Sequence, residues 1–295
     1  MAIKIGTRGS KLALWQANHV MGLLGSAGWE SEIQTIQTTG DRVQDVPLSQ
    51  MGLVGIFTKA LDEALLERRV DIAVHSCKDL PSILADGLEI AALLKREDPR
   101  DVLLATNPQV NLENFSQKLV IGTSSVRRRA LLKYHFDHLE IKDIRGNVDT
   151  RIQKMESGEY DGIMLAYAGV KRMGLTQYIV QKMNPDSFTS AIGQGAIAVV
   201  CRSDFEQKEE LRQLLNHLST EQAVKCERAF LRTIEGGCHT PAFGLATVVA
   251  DQLSFTAGLA EEEGKYIHKL TIQGAAESCE QLGIEAAQDV LAKVN

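Results

Sequence analysis

Two short arginine-rich stretches stand out in this chain because of the chemistry that their residue types allow. They are Gly122-Thr-Ser-Ser-Val-Arg-Arg-Arg129 and Arg145-Gly-Asn-Val-Asp-Thr-Arg151. An arginine is always charged, and its planar fork matches carboxylate or phosphate oxygens two at a time. Both stretches lie where a helix is predicted to begin, and helix N-termini attract anions. A solvated helix face explains any single arginine better, but the two stretches together favour a site for a ligand with several anionic groups.

A second group of polar residues follows two apolar runs that are predicted to be strands. Gly6-Thr-Arg-Gly-Ser10 opens a helix after the first strand, and Val74-His-Ser-Cys-Lys-Asp-Leu-Pro81 ends a buried one. Ligands of α/β sheets bind at such carboxyl ends of strands. A carboxylate at Asp79, in a cleft crowded with arginines, would stay ionised and could stabilise a cationic intermediate or pass protons to it. The alternatives are a helix N-cap by Ser10 and a surface salt bridge between Lys78 and Asp79.

Cys238 is the cysteine whose surroundings suggest reactivity. In Glu235-Gly-Gly-Cys-His-Thr-Pro241 it follows two glycines and precedes a proline, so we expect it on an accessible loop. The thiolate is the nucleophilic form of cysteine, and nearby cations lower the pKa of a thiol. An inert small residue in a turn explains the same pattern, so the residues leave both interpretations open. The remaining cysteines and one histidine are expected to be structural: Cys77, Cys201, Cys226, Cys279 and His75.

The composition limits the classes of function. The chain has 295 residues and a formal net charge of -6, whereas general nucleic-acid binding needs a broad basic face. No apolar run approaches the length of a membrane span, and no secretory signal precedes the first predicted strand. The five cysteines are widely spaced and give neither a disulfide framework nor a zinc pattern. We therefore expect a cytoplasmic protein with no metal site, nucleic-acid partner or membrane contact.

The pattern of apolar runs indicates an α/β fold. Short strands alternate with amphipathic helices over the first two thirds of the chain, which is typical of a largely parallel sheet. Charged or turn-forming segments at 95–101 and 184–187 are predicted crossovers. The residues leave open whether the strand predicted at 196–201 rejoins the first domain. From about Glu221 a helix, three β-rich runs and a last helix predict a small α+β domain.

Seven motifs of this chain follow one another in the same order as the motifs of a known protein family. They are Gly-Thr-Arg-Gly-Ser10, Val-His-Ser-Cys-Lys-Asp-Leu-Pro81, Gly-Thr-Ser-Ser-Val-Arg-Arg128, Arg-Gly-Asn-Val-Asp-Thr-Arg151, Leu-Ala-Tyr-Ala-Gly-Val-Lys-Arg172, Gly-Gln-Gly-Ala196 and Glu-Gly-Gly-Cys238. From Ile5 to the C-terminal helix, nearly its whole length, the chain resembles the porphobilinogen deaminases of tetrapyrrole biosynthesis, also called hydroxymethylbilane synthases.

The resemblance implies a monomeric transferase with a covalent cofactor. Members of the family join four porphobilinogen units head to tail with release of ammonia, and hydrolysis then frees the linear 1-hydroxymethylbilane. Their dipyrromethane cofactor is attached through a cysteine thioether, and Cys238 matches that cysteine. The implied fold has two α/β domains similar to type II periplasmic binding proteins and a small α+β C-terminal domain that carries the cysteine loop. The implied domains are 1–95 with 196–217, then 100–189, and 218–295.

The resemblance also implies roles for the site residues. Each pyrrole carries one acetate and one propionate, so the ligand presents a row of carboxylates to the arginines. Asp79 matches the catalytic carboxylate, which is expected to contact pyrrole nitrogens, assist loss of the amino group and stabilise the resulting azafulvene cation. Besides Cys238, the residues expected to bind the cofactor are Arg8, Ser10, Lys78, Thr123, Ser124, Ser125, Arg127, Arg128, Arg145, Asn147 and Arg151. The residues expected to bind the substrate are Arg8, Arg145, Arg151 and Arg172.

Four positions depart from the family pattern. Val54 stands where lysine is usual, His239 replaces glutamine, Ser190 replaces proline and Val200 replaces glutamate. None of these changes removes Asp79, the cofactor cysteine or a matched arginine, so activity is expected. Two alternatives remain: a relative with impaired turnover, which the lost cation at Val54 would explain, and a non-catalytic anion-binding protein on the same fold.

Overall fold

The computed structural model describes residues 2–37, 58–114, 116, 118–236 and 240–294. These residues divide into two compact units, one from 1–97 with 195–222 and the other from 98–194 with 223–295. Within the described ranges, no helix is long and apolar enough to cross a membrane.

The first unit is built on a five-stranded sheet. Its elements are β1 (Ile3–Thr7), α1 (Lys11–Ser26), β2 (Ser31–Thr35), α2 (Lys59–Leu66), β3 (Ile72–Ser76), β4 (Leu88–Leu93), β10 (Ile197–Arg202) and α6 (Lys208–Leu215). The strand order is β2-β1-β3-β10-β4. Strand β1 is parallel to β2 and β3, while β10 is antiparallel to both β3 and β4. Strand β10, although it comes late in the chain, therefore belongs to the first sheet. The sequence alone had left its place open.

Helix α1 shows why this unit packs as it does. Ala17, Val20 and Leu24 are fully buried and recur at helical spacing, so they form one apolar stripe. That stripe joins the core formed by β1, β3 and β10, which contains Ile5 and Val199. The packing fixes the start of α1, and with it the polar turn between β1 and α1.

The second unit begins with another five-stranded sheet. Its elements are β5 (Asp101–Leu104), β6 (Val120–Gly122), α3 (Val126–His135), β7 (Glu140–Lys142), α4 (Val148–Glu156), β8 (Gly162–Ala166), α5 (Tyr167–Arg172) and β9 (Ile179–Lys182). The strand order is β7-β6-β8-β5-β9, with β6 parallel to β7 and β8, and β5 antiparallel to β8 and β9. Leu103 and Met164 belong to one buried cluster and Val102 and Ile163 to another, so both faces of the sheet are covered.

The remaining elements form a smaller sheet with helices. They are α7 (Leu218–Thr233), β11 (Ala242–Val249), β12 (Gln252–Ala260), β13 (Ile267–Ala275) and α8 (Cys279–Val294), and the three strands form an antiparallel meander. Gly283 of α8 lies against α7, where an added Cβ would stand 2.2 Å from the Cys226 carbonyl oxygen. The predicted class, two α/β sheets followed by a small α+β part, is confirmed. The treatment of 218–295 as a domain of its own stays a prediction.

Candidate functional site

In the first unit, two polar turns leave the same edge of the sheet. Strands β1 and β3 are parallel, with Gly6 level with Ala73, so Arg8 and His75 lie at matching positions just where the strands end. Three of the predicted site residues here, Arg8, Lys78 and Asp79, are half-buried. The fold of this unit thus brings together an arginine, a lysine and the predicted catalytic carboxylate.

Local hydrogen bonds hold both turns. Ser10 caps α1, its side chain accepting from the backbone N–H of Ala13 at 3.3 Å, and a hydroxyl that accepts still has a proton to donate. Residues Cys77–Asp79 form one turn of 3-10 helix, in which the Leu80 N–H donates to the Cys77 carbonyl at 3.2 Å. The amide of Gln16 donates to the Ser76 hydroxyl at 2.8 Å and ties α1 to the end of β3. Asp79 is therefore carried on a short, anchored turn.

His75 is a buried neutral histidine beside Arg8. It is 5% exposed, and burial together with the charge of Arg8 lowers its pKa to about 4. Its Nε2 is buried and has no hydrogen-bond partner among the residues that the structure describes. A protonated ring here would place a second cation next to Arg8. The ring therefore stays neutral at ordinary pH.

We expect His75 to make the protein less stable in acid. The unfolded chain binds a proton at the ordinary histidine pKa of about 6.5, whereas the folded protein binds it only near pH 4, so stability is lost as the pH falls through this window. The expected loss of unfolding free energy is about 3 kcal/mol, measured by urea denaturation between pH 7 and pH 4. His75→Gln should remove this part of the pH dependence, and an unchanged slope in the variant would contradict the assignment.

In the second unit, the two arginine-rich stretches also leave one edge of a sheet. They follow the parallel neighbours β6 and β7, and the Thr123 N–H donates to the Lys142 carbonyl at 2.9 Å. The Ser124 hydroxyl joins the stretches directly, because it donates to the Ile144 carbonyl at 2.8 Å and accepts from the Ile144 N–H at 3.0 Å. Ser125 caps α3 by accepting from the Arg128 N–H. The loop 123–125 is thus fixed at both ends.

The second arginine stretch has a glycine turn near its start. Gly146 has φ +107°, a conformation that other residues rarely adopt, and its carbonyl accepts from the Arg151 Nε at 2.8 Å. Asn147 stands at the N-cap position of α4 without a side-chain cap bond and is exposed. Arg145 and Arg151 are half-buried, as is Arg172 at the end of α5, the helix that follows β8. Three arginines of intermediate exposure thus lie in the segments that follow β7 and β8.

Arg127 and Arg128 differ from these three, because both are buried and paired with Asp101. Arg127 is 3% exposed and donates from Nη2 to Asp101 Oδ2 at 2.7 Å; Arg128 is 6% exposed and donates from Nε to Asp101 Oδ1 at 2.9 Å. Burial alone would raise the pKa of the Asp101 carboxyl, but the two guanidinium charges outweigh it and hold the pKa at about 2. Sequence reasoning missed Asp101, which had been placed in a charged crossover.

This buried cluster fits a ligand with carboxylates. It holds two guanidinium groups for one carboxylate, so its formal charge is positive. The Nε of Arg127 is buried and makes no hydrogen bond to any part of the chain that is described. A carboxylate ligand would balance this positive charge, and dipyrromethane carries several carboxylates. The donor set of the second unit thus suits that cofactor.

Some predicted residues lie outside the described ranges. They include Cys238, His239 and Val54. Of the other departures from the family pattern, Val200 is fully buried in β10 opposite Ala73, and Ser190 is buried with its carbonyl accepting from the Gly244 N–H at 3.0 Å.

Comparisons with solved structures give only weak similarity. The arginine-, lysine-, histidine-binding protein ArtJ from Geobacillus stearothermophilus matches at 14% identity over 72% of this chain and 87% of that one, with a TM-score of 0.37. The periplasmic VFT2 domain of BvgS from Bordetella pertussis matches at 12% identity over 72% and 85%, with a TM-score of 0.40. Similarity at this level does not bear on function.

Comparisons of sequence are far stronger. The family model described as "Porphobilinogen deaminase, dipyromethane cofactor binding domain" matches residues 3–210, and "Porphobilinogen deaminase, C-terminal domain" matches 221–292. Curated porphobilinogen deaminases are 43% identical in Desulfosudis oleivorans, over 99% of this chain and 94% of that protein, and 46% identical in Cytophaga hutchinsonii, over 98% and 93%. A third, from Syntrophomonas wolfei, is 45% identical over 98% and 95%. The chain therefore belongs to the porphobilinogen deaminase family.

Proposed function

We propose that this protein is a porphobilinogen deaminase of tetrapyrrole biosynthesis. It joins four porphobilinogen units with release of one ammonia at each addition, and hydrolysis then yields 1-hydroxymethylbilane. The observation that carries the proposal is the pair of family models, which together match residues 3–210 and 221–292. We further propose that the protein works as a monomer in the cytoplasm.

Cys238 is the proposed attachment point of dipyrromethane, through a thioether. When bound, this group supplies the terminal pyrrole carbon to which the first substrate unit is joined. The other four cysteines are all buried, and burial raises the pKa of the Cys201 thiol to about 11 and also raises the pKa values of Cys226 and Cys279. Because a protonated thiol is a weak nucleophile, these thiols are poor candidates for the same role. That contrast supports Cys238.

The arginines are proposed to bind the acetate and propionate groups. Arg8, Arg145, Arg151 and Arg172 would bind those of the substrate and the growing chain, since their intermediate exposure allows contact with a ligand. The proposed cofactor contacts add Arg127, Arg128 and a set of polar residues drawn from both units: Ser10, Lys78, Thr123, Ser124, Ser125 and Asn147. Guanidinium groups that are held in place would orient each pyrrole and also bind it.

Asp79 is proposed to be the catalytic residue. When the bond from the substrate methylene to its amino group breaks, the bonding electrons leave with ammonia and positive charge develops on the pyrrole nitrogen. A carboxylate beside that nitrogen stabilises the charge as it forms. Loss of the α-proton after the new carbon–carbon bond has formed restores the aromatic pyrrole. The anchored turn Cys77–Asp79 supports this role because it limits the movement of the carboxylate.

The function is tested by incubating the purified protein with porphobilinogen and measuring both ammonia and 1-hydroxymethylbilane. We expect one bilane for every four ammonia molecules, and a protein mass that includes two linked pyrrole units. An anion-binding protein would show neither product nor adduct, which would overturn the proposal. A relative with impaired turnover would carry the adduct but release product slowly.

A further inference from the structure

Asp101 is the buried carboxylate partner of both Arg127 and Arg128. We propose that it is a positioning residue for the ligand site, acting through Arg127 and Arg128 on the loop 123–125 and the first turn of α3. The inference rests on the proposed function, because it concerns how dipyrromethane and substrate are held.

The placement of Asp101 is suited to this task. It is the first residue of β5 and is fully buried, and both of its oxygens are used. Oδ2 accepts from Arg127 at 2.7 Å, and Oδ1 accepts from Arg128 at 2.9 Å and from the Gln194 amide at 3.0 Å. One carboxylate thus fixes two consecutive residues of a helix against a strand.

Each guanidinium group is also held from a second side. Arg127 donates from Nη1 to the Thr189 carbonyl at 2.8 Å, and Arg128 donates from Nη1 to the Met164 carbonyl at 2.9 Å. With Asp101 in place, neither fork can turn without breaking an ion pair and a backbone hydrogen bond. The orientation of both arginines is therefore set before any ligand arrives.

The effect extends to the predicted ligand-binding loop. Helix α3 begins directly after the N-cap Ser125, and Arg127 and Arg128 are its second and third residues. The neighbouring Ser124 is bonded to both the N–H and the carbonyl of Ile144, one residue before Arg145. A shift of the Asp101 carboxylate is therefore transmitted through the first turn of α3 to residues of both arginine stretches.

Asp101 also sets the charge of the cluster. Its carboxylate cancels one of the two guanidinium charges, so the cluster presents a single positive charge to an anionic ligand. Charge and orientation are separable by substitution. Asp101→Glu keeps the charge but moves the carboxylate by one methylene group, whereas Asp101→Asn keeps the shape and removes the charge.

The matched control is Asp161→Glu. Asp161 immediately precedes β8 of the same sheet and accepts from the Val120 N–H at 2.7 Å, but it lies at the opposite end of that strand from the position level with Asp101. The same extra methylene is thereby added to the same sheet away from the arginine cluster. Adduct fraction, KM and kcat should stay at the wild-type values in this control.

The experiment measures the fraction of purified protein that carries the two-pyrrole adduct, by intact mass, and KM and kcat of the loaded fraction. For Asp101→Glu we expect the adduct fraction to fall at least threefold or KM for porphobilinogen to rise at least fivefold, with kcat changed less than twofold. Asp101→Asn should show the same pattern with a larger change. A lower melting temperature with unchanged adduct fraction and KM would overturn the inference, as would a fall confined to kcat.

The outcomes also separate this inference from the proposed function. A wild-type protein without adduct or turnover defeats the function, whereas a normal wild type with a normal Asp101→Glu variant defeats only the positioning role. If neither Asp101 variant folds, Gln194→Met decides by the same criteria. It removes the 3.0 Å hydrogen bond to Asp101, together with the one that Gln194 donates to the Pro99 carbonyl at 2.7 Å and the one that it accepts from Arg128 at 3.5 Å, and it leaves both ion pairs intact.

Discussion

Replacing Asp79 by asparagine is expected to leave a folded protein that carries its adduct but turns over porphobilinogen at least about 100-fold more slowly. The amide has nearly the shape of the carboxylate but no charge, so it cannot stabilise the cation that forms when ammonia leaves. The turn that carries residue 79 should persist, since it is held by backbone bonds from Cys77 to the Ala196 carbonyl and from Leu80 to the Cys77 carbonyl.

Asp86→Asn is the control for this variant. Asp86 is an exposed aspartate shortly after the same turn, before β4, so its replacement makes the same chemical change without touching the turn. Steady-state release of ammonia and bilane is measured for both variants, with intact mass to establish equal loading. Turnover of Asp79→Asn within a few-fold of the wild type would refute the catalytic role of Asp79.

The second large effect is expected for Cys238→Ala. Without the thiol no thioether can form, so the intact mass should lack the two linked pyrrole units and production of bilane should stop. The matched variant is Cys201→Ala, which removes a fully buried thiol whose pKa is raised to about 11 by its burial. It should keep both adduct and turnover. An adduct that survives Cys238→Ala would show that another residue carries the cofactor.

Features governed by local sequence could be predicted well. Ser10 and Ser125 begin helices because a short hydroxyl side chain satisfies a backbone N–H in the first turn, and this needs only neighbouring residues. The polar turns after β1 and β3 were recognisable because apolar runs stop there. The structural role expected for His75 agrees with its buried position beside Arg8. The assignment of ligand and catalytic roles to individual residues stays a prediction.

The Asp101 cluster could not be predicted, because it depends on contacts between distant parts of the chain. Asp101 and Arg127 are 26 residues apart, and a segment with alternating charges gives no sign of which carboxylate becomes buried. The charges and the proline of residues 95–101 predicted a crossover, whereas Asp101 begins the buried strand β5. Only the pairing of β5 with β8 and β9 brings its carboxylate to the arginines.

The return of β10 to the first sheet has a consequence for synthesis on the ribosome. Strand β10 lies between β3 and β4, so until residues 197–202 have emerged each of these strands exposes an unpaired edge. The intervening residues 98–194 contain every strand of the second sheet, which can therefore form first. The first sheet, although begun earliest in translation, is completed later than the second sheet, whose residues interrupt it, and its open edges leave the nascent chain exposed to aggregation in the meantime.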